Sequence, residues 1–83
     1  MVTAIVLIKT DKSSIPETAE TLAALEGVGS VYSVTGAWDL VAMVKVRRYE
    51  DLADVIADHL SKVDGIQDTE TMPVSYTHLR AHE

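Results

Sequence analysis

Apolar residues fall along this chain in two dense runs and two sparser, helically spaced stripes. Between Val2 and Lys9 nearly every position from Ala4 to Ile8 is apolar, which predicts a strand buried on both faces and therefore central in a sheet. The stretch Trp38 to Val46 has the same character and predicts a second central strand. Gly29 to Thr35 instead alternates polar and apolar residues, the pattern of an edge strand. Ile15, Ala19, Leu22 and Ala23 share one face at helical spacing, and so do Leu52, Val55, Ile56, His59, Leu60 and Val63. A last strand begins at Ile66 and includes Thr69 to Met72. Pro73 removes a ladder donor, so that strand ends near Met72 or lies at a sheet edge.

Local signals set the boundaries. Ser14-Ile15-Pro16-Glu17 has the form of a capping box with proline in the first turn, predicting a helix start. Gly27 and Gly65 are placed to end the two helices in a left-handed conformation. Gly36-Ala37 forms the corner of a hairpin joining the edge strand to the second central one, and Asp39 can accept hydrogen bonds from the amides of that turn. The order strand, helix, strand, strand, helix, strand predicts an α+β, ferredoxin-like βαββαβ domain. Its four-stranded antiparallel sheet carries both helices on one face, with the first and third strands central.

Helices cover only one face of such a sheet, yet both central strands are apolar on both faces. Alternate residues of Ala4 to Ile8 and Leu40 to Val46, with Val6 or Val44 among the candidates, are then left for another protein surface. Roughly six aliphatic side chains at about 1.5–3 kcal/mol each rival the whole stability of a small domain. The prediction is a homodimer through the helix-free face.

Composition narrows the function. Eighty-three residues make one domain that buries only about 60–65% of its extended surface on folding, which also favours partners. Thirteen acidic against seven basic residues give a net charge of -6, with no basic cluster beyond Arg47-Arg48, so direct nucleic-acid binding is not expected. There is no cysteine, which fits a reducing cytoplasm. Ala4 to Ile8 is too short to span a membrane. Asp51, Asp54 and Asp58 read as a solvated helix face, not a cation loop. His59, on the apolar stripe, reads as a partly buried structural histidine lacking a catalytic partner. His78 and His82 are four apart, as zinc ligands on a helix are, but no third ligand accompanies them. Nucleophile motifs and phosphate loops are missing, so neither catalysis, a metal nor a cofactor is expected.

Gly36-Ala37-Trp38-Asp39-Leu40, followed by an apolar strand, preceded by Val31-Tyr32-Ser33-Val34-Thr35 and followed about thirty residues later by Asp68-Thr69-Glu70-Thr71, resembles the ligand-binding (RAM, regulation of amino-acid metabolism) domain of the Lrp/AsnC transcriptional regulators. The likeness runs from about Val2 to Thr71. It implies an effector-binding and oligomerisation module that takes a free amino acid between dimers, with homodimers assembling further and full-length relatives as additional partners. Gly36, Trp38, Asp39, Thr69 and Thr71 match the segments that line the family's pocket. A zwitterion needs an acceptor for its ammonium and donors for its carboxylate. Asp39, the amides near Gly36 and the threonine hydroxyls could supply them, and Trp38 could cover the ligand's side chain. The alternative roles are a turn fastener for Asp39 and interface packing for Trp38. Because Met1 directly precedes the first strand, the helix-turn-helix domain usual in this family is not expected in the chain. The domain is taken as 1–73. Residues 74–83 resemble a translated sequencing adaptor and are read as a non-native tail. The rival function is that of a cofactor-independent, dimeric ferredoxin-like enzyme of the small monooxygenase type.

Overall fold

The computed structural model describes residues 1–74; the expected tail, apart from Val74, and the His78/His82 pair lie outside them. Four strands, β1 (Val2–Thr10), β2 (Val28–Ser33), β3 (Leu40–Val46) and β4 (Ile66–Pro73), form one antiparallel sheet in the order β2-β3-β1-β4. The two apolar runs are thus the central strands, as both-face burial requires. Register places Ile8 between Leu40 on one side and Thr69 on the other.

Both helices lie on one face. Ala4, Val6 and Ile8 of β1 and Leu40, Ala42 and Val44 of β3 are fully buried there, packed with Leu22, Leu52, Val55 and Leu60 from the helical layer. On the helix-free face, Ile5 stands opposite Met43 and Leu7 opposite Val41, all four only partly buried. Tyr32 and Met72 extend this apolar band to the sheet edges and are 56% and 42% exposed. The outward positions are therefore these and not Val6 or Val44, which register places with Ala42 and Ala4 beneath the helices.

Helix α1 (Ile15–Ala23) starts differently from the capping-box expectation. A 3-10 turn, Lys12–Ser14, runs straight into it, so Ser14 already lies inside a helical turn. Its amide is taken by the Asp11 carbonyl at 2.9 Å, and its side chain caps nothing. The cap is Asp11, whose Oδ1 accepts from the Ser13 amide at 3.2 Å and the Ser13 hydroxyl at 3.0 Å. On the inner face Thr18 joins Ile15, Ala19 and Leu22 of the predicted stripe, and Ala23 is exposed.

The second stripe forms one helical segment of three geometries: α2 (Tyr49–Asp54), a π turn over Val55–His59 and a 3-10 turn over Leu60–Lys62. Leu52, Val55 and Leu60 are buried as predicted. The Ser61 hydroxyl donates to the Ala57 carbonyl where the helical ladder changes pitch. Gly27 and Gly65 both sit at φ 93°. β4 is an edge strand ending at Pro73. The Val74 amide donates to the Thr3 carbonyl at 2.8 Å, so by alternation the proline nitrogen faces the open edge, where no donor is needed.

Candidate functional site

The corner between β2 and β3 is wider than the two-residue hairpin expected. β2 stops at Ser33 and β3 starts at Leu40, and the connection is closed by the Val34 amide donating to the Asp39 carbonyl at 3.0 Å. The cause is Asp39, which is turned toward β1. Its amide donates to the Ile8 carbonyl at 2.9 Å, and its carboxylate Oδ2 accepts from the Thr10 amide at 3.0 Å. The expected bonds from the turn's own amides are replaced by one from a residue 29 positions away.

Asp39 is 9% exposed, and among the described residues no cation forms an ion pair with it. Its remaining acceptor capacity, on Oδ1, is taken up by no protein donor there. Oδ1 is not among the buried atoms lacking a partner, so it faces solvent and has room for a further donor, best a charged one. Beside it Gly36, at φ 125°, is exposed, and nothing lies within 4 Å of where a Cβ would stand. Trp38 is partly buried.

Thr69 and Thr71 lie elsewhere in the sheet. They stand opposite Ile8 and Val6, with side chains toward the helical layer, and β1 separates them from β3, two strand spacings or roughly 10 Å away. Thr69 lines a cavity of about 380 Å³ with Ile56, Leu60 and Ile66, and Thr71 a neighbouring one of about 310 Å³ beside Tyr49 and Leu52. Neither cavity includes Gly36, Trp38 or Asp39. Within one chain the five residues therefore form two groups: the hairpin corner, and a pair of hydroxyls on the edge strand.

A larger groove of about 560 Å³ runs between the helices, lined by Glu17, Thr18, Asp58, His59 and Lys62 among others. His59 Nδ1 is buried with no hydrogen-bond partner among the described residues. Asp54 and Asp58 are exposed, and Asp51 approaches Arg48 at 3.6 Å, a pair of little energetic consequence at the surface. Among the described residues no helix is long and apolar enough to cross a membrane.

Sequence reasoning missed Thr10. It is 2% exposed, and a buried threonine closing an apolar strand is the one local hint that its polar atoms have partners.

The fold is that of a known family: residues 3–82 match the model of the Lrp/AsnC ligand binding domain, and the chain belongs to that family. An HTH-type transcriptional regulator of Pyrococcus horikoshii is 36% identical over 73 residues, covering 84% of this chain and 49% of the relative. The chain thus spans about half the length of the curated relatives it matches. A Thermus thermophilus protein of known crystal structure is 38% identical with a TM-score of 0.91, over 96% of this chain and all of that one. A feast or famine regulatory protein of M. tuberculosis, complexed with L-methionine, shares the fold at a TM-score of 0.79 and 24% identity, over all of this chain and 56% of that one. The curated relatives are named as transcriptional regulators, which points away from an enzyme.

Proposed function

We propose that this domain senses a free amino acid or a similar small zwitterion on behalf of a cytoplasmic transcription regulator, binding it at the hairpin corner of an assembled homo-oligomer. The observation that carries this reading is Asp39, a largely buried carboxylate with one neutral donor and no ion pair among the described residues. An ammonium group would complete it, and the exposed backbone around Gly36 offers amides to the opposing carboxylate. Trp38 would flank the ligand's side chain. Thr69 and Thr71 would enter the same pocket only from a neighbouring subunit, which suits a site formed between dimers.

Assembly starts from the helix-free face. Ile5, Leu7, Val41 and Met43 form its centre, and a second copy would bury the area each still exposes, a fraction of the roughly 1.5–3 kcal/mol that full burial of an exposed side chain gives. Dimers associating further would close the pocket, and full-length regulators of the same type could co-assemble through the same face. The domain itself, with a net charge of -6, would leave operator contacts to such a partner. Calorimetric titration with each of the twenty amino acids tests the reading. Saturable heat with one or a few of them is expected. Heats indistinguishable from dilution for all twenty, from protein shown to be oligomeric, would remove amino-acid sensing and leave an assembly module.

A further inference from the structure

Thr10 ends β1 just after a register shift, where Lys9 is opposite Asp68 but Thr10 is opposite Ile66. The unpaired residue of that bulge, Gln67, is on β4; the Thr10 amide lies on the opposite side of β1, where the Ile8 carbonyl also meets Asp39, and donates to the Asp39 carboxylate, 3.0 Å away and buried. The Thr10 hydroxyl is also committed, donating to the Gly65 carbonyl at 2.8 Å. That carbonyl accepts from the Asp11 amide as well, at 3.0 Å. Gly65 is as close as a residue can be. At φ 93°, a Cβ on it would stand 3.4 Å from the Thr10 hydroxyl and 3.1 Å from that of Thr18.

We propose that Thr10 is a positioning residue for the Asp39 carboxylate, held by its hydroxyl on Gly65 so that its amide occupies one carboxylate oxygen and leaves the other for a ligand. The proposal rests on the reading of Asp39 as an ammonium acceptor. A β-branched residue has few side-chain rotamers, so anchoring its hydroxyl also fixes the direction of its amide. Without that anchor the carboxylate has two places to go, and a ligand must pay for ordering it. The turn between the second helix and β4 thereby governs a site on the other side of β1.

Thr10→Val keeps shape and amide but removes the hydroxyl, while Thr10→Ser restores it. Two readouts separate the link from the reading beneath it. Amide hydrogen exchange needs no ligand: Thr10→Val should speed exchange at residue 10 about tenfold while Val6 and Val44 keep their protection, and Thr10→Ser should reverse this. Titration with whichever of the twenty amino acids the unaltered protein binds should show about tenfold weaker binding in Thr10→Val and recovery in Thr10→Ser. Unchanged exchange at residue 10, or unchanged affinity alongside faster exchange, overturns the positioning role. Absence of binding by the unaltered protein overturns the ammonium reading, and the exchange result still decides whether Gly65 holds Thr10. Should Thr10→Val fail to fold, Asp39→Asn in the otherwise unaltered chain must shift the Thr10 amide resonance more than those of Val6 and Val44. A Thr10 resonance that does not move would equally sink the proposal.

Discussion

At the scale of single residues, Asp39 joins two tasks that substitutions can pull apart. It fastens the end of β1 by accepting from the Thr10 amide, and it brings an unpaired charge to the corner. Asp39→Asn keeps a carbonyl acceptor, so the fold and its melting temperature should change little. The same change should weaken binding of a zwitterion by about 2–5 kcal/mol, roughly thirtyfold to several thousandfold. Asp39→Ala differs, because the Thr10 amide is left buried without an acceptor, at a cost of about 1–3 kcal/mol. Thermal melting and calorimetry on both variants check this. Equal melting losses for Asn and Ala would mean that charge and not hydrogen bonding holds the corner.

Among the elements, the turn between α1 and β2 lies close against the second helix. Gly27 sits at φ 93°, and a Cβ there would lie 3.0 Å from Val55 Cγ2. Gly27→Ala should therefore cost about 1–3 kcal/mol through backbone conformation and crowding together. In the double variant with Val55→Ala the crowding part should vanish, making the loss smaller than the sum of the two singles. Strict additivity in denaturant melts would refute the contact. The same elements show what a sequence can disclose. Strand order was legible in it because burial on both faces of β1 and β3 leaves unbroken apolar runs; the helix ends were not, since α1 stops at Ala23 and the second helix at Lys62, and the left-handed Gly27 and Gly65 belong to the turns that follow. The π turn was not, since Leu52, Val55, Ile56 and Leu60 satisfy an ordinary helical period equally well. Nor was the Asp39–Thr10 bond, because nothing in a hairpin motif reports a partner from another strand. The capping box misled because the Asp11 carbonyl, in the preceding 3-10 turn, already takes the Ser14 amide that Glu17 was to reach.

On the scale of the whole molecule, the two faces of the sheet should respond oppositely to a buried charge. Val6→Asp places a carboxylate beneath the helices among fully buried neighbours and should abolish folding. Ile5→Asp, one residue away on the helix-free face, should leave a folded monomer or a much weakened dimer. Light scattering with circular dichroism distinguishes the two outcomes. A monodisperse monomer of the unaltered protein at micromolar concentration would rule out the proposed dimer.

Pro73 closes one side of the sheet in a further sense. An exposed strand edge is a template on which identical chains can stack without limit, and β4 is such an edge. With no hydrogen to offer outward at residue 73, a ladder onto a neighbour would lack the bond at that end of β4. Pro73→Val should expose the hazard: faster thioflavin-positive aggregation on prolonged incubation, with little change in melting temperature. Aggregation at the unaltered rate would show that the twist of the sheet or the charges beside β4 already suffice.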